Sequence, residues 1–98
     1  MVRIAMSLKL VFSGHALQRM FQRSIDPRTV RSVIEQGETI EDYAEDKPFP
    51  SCLVLAVVAG RAIHAVFAVD ESTSTAHVIT VYVPDPSLWE SDFRRRRK

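Results

Sequence analysis

The sequence predicts an α+β domain in which a helical hairpin packs on one face of a twisted antiparallel sheet. Three observations carry this. Residues 13–36 repeat their apolar side chains at helical spacing, after Gly37 the repeat shortens to two, and the three strongest apolar runs follow one another across short turns. Consecutive strands on short turns pair as an antiparallel meander. Helices that precede such a sheet cover one of its faces.

Taken in order, Leu8 to Phe12 is a short apolar run fit for an edge strand. Ser13 is placed to cap a helix that carries His15 and ends near Ser24. Asp26 caps a second helix, with Pro27 at the first position, where its missing N–H costs nothing. Val30, Val33 and Ile34 give that helix an apolar side, and Gly37 is its stop signal. Glu38 to Tyr43 alternates weakly, and the turn-rich EDKPFPS separates it from CLVLAVVA, RAIHAVFAV and HVITVYV. Gly60–Arg61 makes a tight connection and DESTST a looser one.

Strand alternation then assigns faces. Ile63, Ala65, Phe67 and Val69 share one side, while Ala62, His64, Val66 and Ala68 share the other. In the last strand Ile79, Val81 and Val83 fall together, opposite Val78, Thr80 and Tyr82, and His77 starts the strand on the floor side. The helices are therefore expected on the Ile63, Phe67, Ile79 and Val81 side, leaving His64 and Tyr82 on the open face. PDPSLW ends the last strand, and Trp89 folds back as an anchor over an exposed core edge.

The 98 residues suffice for one domain, expected over 1–93, with 94–98 as a basic, disordered tail. The balance of 46% hydrophobic to 26% charged residues is that of a globular protein. No apolar run approaches the length of a bilayer span, so no membrane partner is expected. The opening MVRIAMSLKLVFSG lacks the core of a signal peptide, and Cys52 is the single cysteine, so a reducing cytoplasm is the expected setting. A net charge of +1 hides segregation: residues 1–34 carry +5, residues 35–93 carry −9, and RRRRK restores +5. A nucleic acid would approach the basic half and be repelled by the acidic one. Cys52, His15, His64 and His77 have no ligand-like spacing, and three glycines form no phosphate loop, so neither metal nor cofactor is expected. Cys52 reads as a small buried apolar residue.

His15, Arg19 and Arg23 stand four residues apart and so lie along one side of the first helix. Ala16, Leu17, Met20 and Phe21 make an apolar stripe beside them. Arginine grips phosphate oxygens in a fork, and an imidazole moves a proton near neutral pH, which suits an RNA phosphate. The same spacing also describes an ordinary amphipathic helix with a basic wet side. His64 and Tyr82 divide in the same way, between a half-buried hydrogen-bonded pair and a site.

HALQRMFQRSI, EDKPFPSCLVLAVV, RAIHAVFAVD and VYVPDPSLWESDF, in that order, resemble the uncharacterised bacterial domain-of-unknown-function family 4258 over residues 8–93. That family is placed beside the RelE-like and BrnT-like ribonuclease toxins, often next to a small zinc-finger antitoxin of the MqsA type. The resemblance implies a RelE/barnase-like arrangement with RNA, free or on the ribosome, held against the sheet. By position it implies His15, His64 and Tyr82 as catalytic candidates, and Arg19, Arg23, Lys47 and Ser51 as RNA- or phosphate-binding ones. The expected activity is metal-independent endoribonuclease cleavage by a toxin of a toxin–antitoxin pair, with the 2′-hydroxyl as nucleophile. The alternative is a non-catalytic protein- or RNA-binding module on the same fold. A shared site requires His15, Arg19, His64 and Tyr82 to converge on one positively rimmed cleft, with EDYAEDK turned away or closing it as a lid.

Overall fold

The computed structural model describes residues 8–98. The part of the expected domain before Leu8, with Arg3, lies outside the described residues. The elements are β1 (Lys9–Phe12), α1 (Gly14–Gln22), α2 (Pro27–Gln36), β2 (Glu38–Tyr43), β3 (Ser51–Val58), β4 (Arg61–Asp70) and β5 (Thr75–Tyr82). One five-stranded sheet runs in the order β1-β5-β4-β3-β2. Strands β2 to β5 form the expected antiparallel meander. Strand β1 pairs with β5 in parallel, so the sheet is mixed rather than wholly antiparallel. An edge strand's apolar pattern sets which face it buries, not its direction, and here both helices and three strands intervene before its partner.

Local chemistry sets both helices. The Ser13 hydroxyl accepts from the Ala16 N–H at 2.9 Å and donates to the Ile79 carbonyl at 2.8 Å, so one cap starts α1 and ties it to β5. Asp26 accepts from the Thr29 N–H at 2.7 Å, with Pro27 opening α2. Ser24 makes the reversal between them at φ 53°. The Arg61 guanidinium donates to the Arg23 and Ser24 carbonyls at 2.7 and 3.3 Å and pins that turn to β4.

The core lies between the helices and one sheet face. Ala16 and Met20 of α1 and Val30, Val33 and Ile34 of α2 pack with Ile63, Ala65, Phe67, Val78 and Val81. Three expectations about its edges are corrected. Ile79 is 41% exposed, because the register slips from Val66↔Thr80 to Phe67↔Val78 and leaves Ile79 unpaired in a bulge. The bulge lets Val78 and Val81, an odd number of residues apart, share the core face. For the same reason His77 pairs opposite Ala68 on the His64 side, stacked on Phe49, and not on the floor. Finally, only Ala16 and Met20 of the α1 stripe are buried, while Leu17 and Phe21 are 51% and 89% exposed.

Gly37 carries a close approach. Its N–H donates to the Val33 carbonyl at 2.8 Å, and an added Cβ would stand 2.3 Å from that oxygen and 3.2 Å from the Leu55 carbonyl. Gly37→Ala should therefore lower stability by about 1–3 kcal/mol through backbone displacement. An unchanged urea midpoint would show that α2 can shift off β3 freely.

Candidate active site

Strand β1 pairs with β5 only as far as Val78, and α1 packs along β5 from there. A helix standing where a strand would continue brings its polar side to the far face of the sheet. The result is an open cleft of about 420 Å³. His15 and Arg19 line it from α1, Arg23 from its C-cap, Thr80 and Tyr82 from β5, and Asp85, Trp89 and Arg96 from the segment that follows. Three arginines face one carboxylate, so the rim is cationic. Asp85 is held below the usual carboxylate range, first by the Ser87 N–H and then by its hydroxyl, with Arg23 adding a smaller pull. Among the described residues neither Arg19 nor Arg23 forms an ion pair, which leaves both forks available to an anion. No residue of EDYAEDK lines the cleft.

His64 lies one layer below. It is fully buried, with its ring edge-on to Trp89 at 4.5 Å. Its Nε2 is 2.8 Å from the Phe93 carbonyl, and its Nδ1 is 3.1 Å from the Tyr82 hydroxyl. A carbonyl can only accept, so Nε2 carries the proton. In the neutral ring Nδ1 then accepts from the Tyr82 O–H. His64 does not line the cleft itself; Tyr82, its hydrogen-bond partner, and Trp89, its packing partner, do. Burial raises the Tyr82 hydroxyl above its ordinary value, opposed by Arg96. Burial lowers His64 below 6.5; the Phe93 bond opposes this and Arg96 adds to it.

That shift has a sign in stability. Above an ordinary value of 6.5 both folded and unfolded chains hold His64 neutral, and its contribution is complete. Below it the unfolded chain takes up a proton that the folded one resists, so the contribution is lost as pH falls through the depressed folded value. Denaturation midpoints should decline from about pH 7 downward, and less steeply in His64→Gln. Identical slopes in the two proteins would assign the decline to other groups.

Of the seven residues implicated by the sequence, His15, Arg19, Arg23 and Tyr82 meet in the cleft and His64 supports it from beneath. Lys47 and Ser51 do not join them. Lys47 borders a separate cavity with Phe49 and His77. Ser51 is buried and donates its hydroxyl to Asp46. It begins β3, whereas His64 pairs opposite Leu55 four residues further on, roughly 13 Å along the strand. Cys52 is buried, and burial pushes its thiol up to about 11, which suits the packing role and no nucleophile.

Residues 84–97 carry the weakest local signals in the sequence. The arginines expected as a disordered end fold back: Arg94 grips Glu38 at 2.8 Å, and Arg96 stacks over Trp89 at 4.8 Å. Trp89 does anchor this segment, against His64 rather than over a core edge.

A family model for a domain of unknown function, DUF4258, matches residues 12–83. The chain belongs to the DUF4258 family. No curated protein and no solved structure matches it. Within the DUF4258 match fall His15, Arg19, Arg23, His64 and Tyr82, whereas Trp89, Phe93 and Arg96 lie beyond it. Among the described residues no helix is long and apolar enough to cross a membrane, and no three His, Cys, Asp or Glu side chains gather as a metal site.

Proposed function

We propose that this DUF4258 protein is an endoribonuclease of the toxin type that cleaves RNA by general acid–base chemistry, kept in check by a small antitoxin. One observation supports it above the rest: His15, Arg19 and Arg23 share a cleft with a Tyr82 hydroxyl that is hydrogen-bonded to buried His64. Arg19 and Arg23 bind the scissile phosphate through their forks. The Tyr82 oxygen takes the 2′-hydroxyl proton while its own proton passes to His64 Nδ1. The 2′ oxygen attacks phosphorus, the P–O5′ bond breaks, and protonated His15 delivers a proton to the leaving 5′ oxygen. The products are a 2′,3′-cyclic phosphate and a 5′-hydroxyl. No residue of the acidic stretch lines the cleft, although Glu41 and Tyr43 border the neighbouring cavity behind Trp89 and Arg96, so RNA entering the cleft meets the cationic rim.

A second reading has its own support. His64 has both ring nitrogens satisfied and no exposed surface, which is how a purely structural histidine looks. The cleft would then hold RNA phosphate or an acidic protein segment without cutting. Incubating the purified chain with RNA, alone and with ribosomes, and mapping the new ends decides between them. Cyclic-phosphate and 5′-hydroxyl ends support the enzyme; intact RNA in both reactions supports the binding module. Arg19→Lys keeps the charge but loses the fork, and should lower cleavage by about tenfold with folding intact. Equal rates in the two proteins would remove Arg19 from the phosphate site.

A further inference from the structure

The segment beyond the family match closes on itself before it closes on the site. The Asp85 carbonyl accepts from the N–H groups of Leu88 and Trp89, the Glu90 N–H donates to the Arg95 carbonyl at 2.7 Å, and the Arg97 N–H donates to the Leu88 carbonyl at 2.9 Å. Trp89 and Arg96 form an antiparallel bridge. Phe93, at the turn of this small hairpin, sits at φ 58°, a costly conformation for a bulky residue, and its N–H donates to the Glu90 carbonyl at 2.8 Å. Arg94 then ties the hairpin to β2 through Glu38. A solvated tail would have none of these constraints.

Two groups of the hairpin point at the site. The Phe93 carbonyl stands at His64 Nε2, and the Arg96 guanidinium lines the cleft from above Trp89. The first determines how Tyr82 meets its surroundings. Were Nε2 without an acceptor, Nδ1 could carry the proton and donate to the Tyr82 oxygen, turning the phenol O–H outward as a donor. With the Phe93 carbonyl in place, the phenol proton is held on the His64 side and the oxygen is left free to accept another proton.

We infer that the C-terminal hairpin is a working part of the site: the Phe93 carbonyl is a positioning group that fixes the His64 tautomer, and Arg96 is a third RNA-phosphate-binding arginine. The role of Phe93 rests on the acid–base reading above; that of Arg96 requires only that RNA binds. In that geometry the hairpin presents Tyr82 as a proton acceptor and completes an arginine rim that the family domain leaves open.

Nitrogen NMR of the full chain, labelled on histidine, tests the first part, and binding of a 2′-deoxy oligonucleotide tests the second. At neutral pH His64 should show the Nε2–H form alone; a mixed or Nδ1–H signal overturns the positioning role. Arg96→Ala should weaken binding about tenfold and lower the salt slope by about 0.7, the loss for one phosphate contact on a single strand, with His64 still in the Nε2–H form. Wild-type affinity and slope in Arg96→Ala overturn the phosphate role. A chain ending at Glu90 should lose the single His64 tautomer. If that chain does not fold, the full-chain spectrum and the Arg96 titration still decide. Should wild type bind RNA, pass both tests and cleave nothing, the enzymatic reading falls while the hairpin's two contacts stand.

Discussion

Phe67→Ala should destabilise the fold by about 3–5 kcal/mol, the usual cost of emptying a large aromatic site in a well-packed core. Phe67 is 1% exposed and belongs to the cluster that joins both helices to the sheet. It also sits at the register slip, paired with Val78, where the strands are least free to close over a void. A small domain has only about 5–15 kcal/mol in hand, so the variant should lose about a fifth or more of its stability. Urea unfolding followed by far-ultraviolet circular dichroism would measure it. A loss below about 1 kcal/mol would mean that the helices collapse into the space, and that the hairpin is less firmly seated than its burial implies.

The contrast between Phe67 and Ile79 shows what the sequence could and could not say. In β4 strict alternation put Ile63, Ala65, Phe67 and Val69 on the core side, and the first three of them are buried in the core cluster. In β5 the same rule failed at Ile79, because one unpaired residue reverses every assignment before it. Val78 and Ile79 are both β-branched apolar residues, so neither announces the bulge. The helix boundaries were legible because their signals are local: Ser13 and Asp26 cap, Pro27 opens and Gly37 closes. The direction of β1 was not, since nothing local distinguishes a parallel from an antiparallel edge.

The candidate site divides along similar lines. His15, Arg19 and Arg23 were legible from a single helical spacing, and Tyr82 with His64 from a polar pair in apolar strands. Their meeting depends on α1 rounding the end of β1, a feature of tertiary structure with no sequence signature. The hairpin contacts were hidden for another reason. Five consecutive basic residues look alike in composition, yet Arg94 pairs with Glu38 and Arg96 stacks on Trp89, and only position separates the two roles. Lys47 and Ser51 do not reach the cleft, because Lys47 lies in the loop before β3 and Ser51 at its first residue, four residues from the Leu55 position that pairs with His64. Polar residues that recur in a fold mark packing as readily as chemistry.

Tyr82→Phe should reduce RNA cleavage by about 10²–10⁴-fold, the range for one general acid–base group, while leaving phosphate contacts in place. Tyr82 lines the cleft and His64 does not, so in the proposed relay the 2′ proton enters at the phenol oxygen. The substitution keeps the ring and removes one oxygen. It also leaves buried His64 Nδ1 without its donor, at a cost to stability of about 1–3 kcal/mol, so thermal unfolding must first show the variant folded at the assay temperature. Affinity for a 2′-deoxy oligonucleotide should remain near wild type, because Arg19 and Arg23 are untouched. Cleavage should collapse in kcat rather than KM, the pattern of an interaction made in the transition state. His64→Gln should follow it in direction, since the phenol could still hydrogen-bond but no longer pass its proton to an imidazole. A Tyr82→Phe protein that cuts RNA at the wild-type rate would sink the relay and shift the search for the base to His15.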